Sequence, residues 1–181
     1  MNRCAAALLI LISISAPAQS TQPAPENSAS IEVLFTPEDD ATTRLVKAIG
    51  QAKQEVLVQS YFFTNRRIAN ALARAHRAGR TVQVINDQTA YEQGSAVVLS
   101  DLNVAGIAIY LDAQHATAHN KVMIIDGESE AAVLVTGSFN FTVAAQKHNA
   151  ENLLLISGDP EVIRAYRNNW LAHQAHSVRL Q

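Results

Sequence analysis

Three short clusters in the second half of the chain carry the side chains best suited to chemistry on an anion. The first, HNKVMIID, holds His119, Lys121 and Asp126. The second, GSFN, holds Gly137, Ser138 and Asn140, and the third, HNAEN, holds His148, Asn149, Glu151 and Asn152. A phosphodiester repels anionic nucleophiles. A catalyst for it needs a neutral nucleophile, fixed donors for the non-bridging oxygens and an acid for the leaving oxygen. Neutral imidazole can attack phosphorus, Lys121 supplies positive charge, and Asn140 supplies uncharged donors. A carboxylate such as Glu151 can fix the histidine tautomer and steady the charge on the ring. A positioned general acid is worth about 10²–10⁴-fold in rate, and one oxyanion donor about 3 kcal/mol.

Strand geometry sorts these groups. Side chains on a strand alternate between faces, so His119 and Lys121 point the same way, with Met123 and Ile125 deeper on that face. Asp126 has the opposite parity: it is either a structural partner at the strand end or reaches the site through a turn. Asn149 and Glu151 share a face ahead of the apolar run LLLI. A polar group leading into a buried strand needs a partner, and His119 is the obvious one for Glu151. A His-x-Lys pair alone is an ordinary surface feature; the weight comes from the linked clusters. Ser138 fits a turn as well as a phosphate contact. His115 and His148 read as polar rim residues, His173 and His176 are expected to face water, and Tyr166 and Trp170 to lie in the core. The arginines at 66, 67, 74, 77 and 80 read as a solvated helix face rather than a phosphate track.

The elements that must position these groups follow from hydrophobic periodicity. Apolar strand-like runs cover residues 31–35, 55–62, 81–85, 107–111, 121–125, 132–135 and 153–156. Leu45, Val46, Ile49 and Ala52 share one helical face, as do Ile68, Leu72 and Ala75. Residues 96–102 and 141–147 read as further helices. Asp159-Pro160 opens a last helix that carries Val162, Ile163, Tyr166 and Trp170 inward. Alternating strands and helices predict an α/β fold: one domain whose mixed β-sheet is sandwiched by helices.

Composition bounds the rest. The chain has 181 residues, 48% hydrophobic and 17% charged, which suits a single globular domain. A formal net charge of -2 excludes the strongly basic balance of a constitutive nucleic-acid binder, so attraction to a polyanion must come from local groups. Residues 1–18, MNRCAAALLILISISAPA, have a positive start, an apolar stretch and a small-x-small end at Ala16-Pro17-Ala18. This predicts a signal peptide cleaved after Ala18 and a periplasmic or secreted protein. The apolar stretch is short for a membrane-spanning helix, so no stable membrane insertion is expected after cleavage. Losing Arg3 would take the net charge from -2 to -3, and losing Cys4, the only cysteine, would leave no thiol. Residues 19–30 are polar, with Pro23 and Pro25, and read as a disordered linker; residues 31–181 form the predicted domain.

The linked pattern His119-x-Lys121, four residues, Asp126, then Gly137-Ser138-x-Asn140 and Glu151 resembles the phospholipase D superfamily. Within it, the chain is similar to small bacterial nucleases with one motif copy per chain, over about residues 31–176. The resemblance implies a two-step reaction through a phosphohistidine. It also implies a homodimer whose two motif copies meet in one shared site. His119 would be the nucleophile in one subunit and the leaving-group acid in the other. Lys121, Asn140 and Ser138 would hold phosphate oxygens, Glu151 would orient His119, and Asp126 is the family aspartate. The stretch 127–136 is slightly longer than in similar chains and reads as a longer hairpin turn. No metal or other cofactor is expected, because Lys121 and the paired site supply the positive charge a metal would bring.

Three functions remain open from the sequence. A nonspecific endonuclease on DNA, and on RNA, fits the single motif, small size and export signal. A phospholipase D acting on phosphatidylcholine-type lipids would use the same chemistry, although no amphipathic helix suited to a bilayer surface is evident. A non-catalytic nucleic-acid-binding or assembly module is disfavoured by the intact His119, Lys121, Asn140 and Glu151.

Overall fold

The valine- and isoleucine-rich runs pair into a single mixed sheet in the computed structural model, which describes residues 29–181. The predicted signal peptide, residues 1–18, and most of the predicted linker lie outside the described residues. The strands are β1 (Ser30–Thr36), β2 (Glu55–Ser60), β3 (Thr81–Asp87), β4 (Ala108–Asp112), β5 (Lys121–Ile125), β6 (Val133–Gly137), β7 (Glu151–Ser157) and β8 (Val178–Arg179). Their order across the sheet is β1-β7-β6-β5-β2-β3-β4-β8. The helices are α1 (Ala41–Gln51), α2 (Arg66–Arg77), α3 (Gln88–Ala90), α4 (Ala96–Val104), α5 (Val143–Lys147) and α6 (Pro160–His176).

Two rules of chain geometry shape this order. β2, β3 and β4 are parallel, and each step between them needs a crossover, which α2 and then α3–α4 supply. The remaining pairings are antiparallel. Helix starts follow local side-chain chemistry. Asp40, Asn65 and Asp159 each accept a backbone N–H of the first turn that would otherwise lack a partner, and Pro160 opens α6.

Strand alternation splits the core in two. Val56, Val58, Val84, Ile109, Met123 and Ile125 face one way and pack with Leu45, Ile49, Leu72 and Leu99. Leu57, Ile85, Val122, Ile124 and Leu134 face the other way, against Ile163 and Trp170 of α6. Trp170 is fully buried and its Nε1–H donates to the Val58 carbonyl at 2.9 Å, so its one polar group is satisfied inside the core. The helices thus cover both faces of the mixed sheet, as the periodicity predicts. Among the described residues no helix is long and apolar enough to cross a membrane.

One expectation fails here. His173 and His176 do not face water: the end of α6 lies against β4, and β8 then pairs antiparallel with β4, drawing both rings onto Asp112. Periodicity marks α6's apolar stripe, but two polar residues on its last turns carry no sequence signal of which strand they meet.

Candidate active site

Register brings one edge of the sheet together. Ser60 at the end of β2 lies opposite Lys121 at the start of β5 and beside Asn86 on β3. The segment before β5 is fixed by Asp87, whose carboxylate accepts the Ala118 N–H and the Ala90 N–H, both at 2.8 Å. This holds His119 at the mouth of β5, exposed on its outer side. Its ring lies against Tyr61, with centroids 4.5 Å apart. Lys121 is buried at 6% exposure, and its Nζ donates to the His119 carbonyl at 2.7 Å. The same ammonium sits over the Tyr61 ring, 5.1 Å from its centroid, in cation–π range.

The electrostatics follow from this packing. Burial pushes the Lys121 ammonium down to about 8, and the negative charge of Glu151 offsets only part of the effect. Loss of water on its inner face, then the charge of Lys121, hold His119 below the ordinary imidazole value, against a smaller opposing pull from Asp87. A neutral imidazole beside a charged ammonium is therefore the stable arrangement near pH 7. That pairing suits nucleophilic attack on an anionic phosphorus centre.

The GSFN turn is built by Gly137. Its φ is 149°, and a Cβ there would lie 2.2 Å from the Asn152 carbonyl oxygen, so no side chain fits. The close approach lets Ser138 N–H and Phe139 N–H both donate to that oxygen, at 3.0 and 3.3 Å. Phe139 and Phe141 are buried anchors between which Asn140 stays partly exposed. The Asn140 amide oxygen accepts the Phe62 N–H at 3.4 Å, which turns its NH₂ into a free donor among the described residues.

Two sequence expectations are corrected by this geometry. Glu151 does not hydrogen-bond to His119 within the chain. Its carboxylate instead accepts from Ser138 Oγ at 2.6 Å and Asn149 Nδ2 at 2.9 Å. The reason is strand order: β6 lies between β7 and β5, which separates them by roughly 10 Å. Asp126, expected among the catalytic residues, lies at the far end of β5 from Lys121. Buried at 5% exposure, it accepts the backbone N–H groups of Lys53, Gln54 and Glu55 at 2.7–3.0 Å. Its own φ is 51°, a left-handed turn that aims the carboxylate back into the α1–β2 connection. It is a structural clasp of that connection.

Tyr61 and Asp87 were missed by sequence reasoning. Tyr61 reads as the end of an apolar strand, and only the β2–β5 register puts it under His119. Asp87 has a local signal, as an N-cap ahead of α3, but its bond to Ala118 N–H spans 31 residues. His148 is exposed next to α5, whereas His115 leans toward Asp112. The arginines are largely occupied: Arg66 pairs with Asp101, Arg67 donates to Thr43 and Arg80 to the Ala52 carbonyl.

Comparisons with known proteins converge. Residues 45–173 match the family described as cardiolipin synthase, PLD-like domain. Phospholipase D of Rickettsia typhi is 35% identical over 146 residues, covering 81% of this chain and 69% of that one. Mitochondrial cardiolipin hydrolase of Xenopus tropicalis is 31% identical over 132 residues, 73% of this chain and 60% of its own. Among solved structures, the phospholipase D family member Nuc of Salmonella typhimurium superposes with a TM-score of 0.79 at 28% identity, over 85% of this chain and 99% of that one. NucT of Helicobacter pylori shares the fold, with a TM-score of 0.74 at 24% identity over 84% of this chain and 100% of that one.

Proposed function

The chain belongs to the phospholipase D superfamily of phosphodiesterases, and on that premise we propose that it is an exported, nonspecific endonuclease that cleaves DNA through a phosphohistidine. The observation that carries the reading is His119: an open imidazole seated on Tyr61 beside the buried Lys121 ammonium. Asn140, bonded to the Phe62 N–H next to Tyr61, and the exposed Ser138 on the same turn are polar and suit a sugar–phosphate backbone better than acyl chains. RNA presents the same linkage and is a candidate substrate too.

In this scheme the His119 imidazole attacks phosphorus as Lys121 and the Asn140 NH₂ hold the non-bridging oxygens. The P–O bond to the leaving group breaks as an N–P bond forms, and a second imidazole protonates the leaving oxygen. Water, deprotonated by that second imidazole, then cleaves the N–P bond and restores His119.

One chain supplies one such imidazole, so the second comes from another copy across a two-fold axis. Two features support a shared site. Glu151 is near Lys121 yet makes no bond to its own His119, whose ring has no hydrogen-bonded carboxylate among the described residues. On the edge strand β1, Ile31, Val33 and Phe35 expose an apolar stripe, 47–58% accessible, whose last residue, Phe35, pairs with Asn152, next to Glu151.

A second reading keeps the chemistry and changes the substrate: a phospholipase D, favoured by the name of the Rickettsia relatives. Incubating the protein separately with plasmid DNA and with phosphatidylcholine vesicles decides between them. Nicked and linear DNA without choline release is the expected result; choline release with intact plasmid would reverse it. Inactivity on both would leave a binding module. Mixing His119→Ala subunits with the unaltered protein should yield inactive heterodimers, and a fully active monomer in sedimentation would refute the shared site.

A further inference from the structure

Apart from the phosphodiesterase centre, four side chains from three segments converge at the end of β4. Asp112 ends that strand with its side chain fully buried. His115 comes from the connection that follows, and His173 and His176 from the last two turns of α6. His173 Nδ1 lies 2.7 Å from Asp112 Oδ2, while His115 Nδ1 and His176 Nε2 each lie 3.2 Å from the same oxygen. The three rings are 4.9–5.3 Å apart between centroids. One nitrogen of each ring and one carboxylate oxygen all fall within 4.8 Å of one another.

Hydrogen bonding alone accounts poorly for this convergence. Three ring nitrogens gather on one carboxylate, His115 Nδ1 lying also 3.3 Å from Asp112 Oδ1, which already accepts the Gln114 N–H at 3.0 Å, so every lone pair of the carboxylate would be claimed. A metal resolves the crowding, because each ring then presents a lone pair to the ion rather than a proton to Asp112. Four ligands at 2.0–2.1 Å in a tetrahedron lie roughly 3.3–3.4 Å apart, close to the spacings seen at Asp112. Three imidazoles and one carboxylate form the nitrogen-rich, borderline-soft set that suits zinc over magnesium or calcium. All four positions are filled by protein, which is the closed coordination of a structural site.

We propose that Asp112, His115, His173 and His176 bind one zinc ion per chain and staple the C-terminal helix to the β4–β5 connection. The staple adds to the buried Trp170 anchor of α6, beyond which β8 is only the pair Val178–Arg179. It also fixes the first half of the connection whose second half carries His119, four residues after His115. Asp87 already ties the other end through Ala118. The site lies three strand positions from β5, roughly 14 Å across the sheet, so this metal does not touch the phosphate.

The test uses the protein made without a polyhistidine tag and stripped with chelator. Cobalt(II) should bind at one equivalent with the intense visible bands of tetrahedral coordination, and zinc should displace it. Saturating zinc should raise the melting temperature by on the order of 5–10 °C. His173→Gln and His176→Gln should each abolish both responses, whereas His119→Ala should keep both. A stripped protein with no tetrahedral cobalt spectrum and a melting temperature indifferent to zinc would show the cluster to be a hydrogen-bonded network only. Retention of the spectrum in both glutamine variants, or its loss in His119→Ala, would place the metal elsewhere and equally overturn the assignment. Should the glutamine variants fail to fold, the cobalt and melting measurements on the unaltered protein still decide.

Discussion

The two ends of β5 carry two parts of one short motif and use them for opposite purposes. At the start, His119 and Lys121 are held in an environment that resists their charged forms, which is costly for folding and useful for chemistry. At the end, Asp126 accepts three backbone N–H groups and serves only to hold that backbone. Groups joined by sequence proximity are therefore not joined in function. The first end gives up stability for reactivity, and the second restores order to the connection that leads into β2.

The contrast between the two ends of β5 rests first on His119. His119→Ala should reduce phosphodiester cleavage by roughly 10³–10⁶-fold and leave the melting temperature within a degree or two. A large loss of stability would mean that this end, too, is structural. Lys121→Met should lower turnover by about 10²–10³-fold through the lost oxyanion contact. The sign of the pH effect follows from its titration at about 8: the charged form dominates below that value, so turnover should fall as pH rises through it. In Lys121→Arg, which stays charged, the decline should begin at higher pH; an unchanged pH–rate profile would exclude Lys121 as its origin.

At the opposite end, Asp126→Asn keeps the left-handed turn but replaces an acceptor oxygen by a donor NH₂ facing a backbone N–H. A loss of about 2 kcal/mol in denaturant unfolding is expected, with turnover of the folded fraction unchanged. Loss of turnover at full stability would restore Asp126 to the catalytic set. The smallest effect sharpens the role of the platform. Tyr61→Phe keeps the ring under His119 and should stay within about threefold of full turnover, whereas Tyr61→Ala removes a contact worth about 0.5–1.5 kcal/mol and should cost more. Equal effects of the two would assign the work to the hydroxyl.

The core strands and the α1, α2 and α6 faces were legible because burial imposes a period of 2 or 3.6 on local sequence. Leu45 and Ile49, for example, announce the inner face of α1 and are buried there. Parity also separated Asp126 from the face shared by His119 and Lys121. The pairing of Glu151 with His119 misled because strand parity says which way a side chain points, not how many strands stand between two of them.

The order of chemical types along the chain, the two-faced core and the phosphodiesterase family are properties of the sequence by itself. Tertiary structure alone decided that Tyr61 lies under His119, that β6 parts Glu151 from it, and that Asp112 meets His173 across 61 residues. The physical reason is that side-chain periodicity is set by each residue's own backbone, whereas register and strand order are set by the collective packing of segments far apart in the chain.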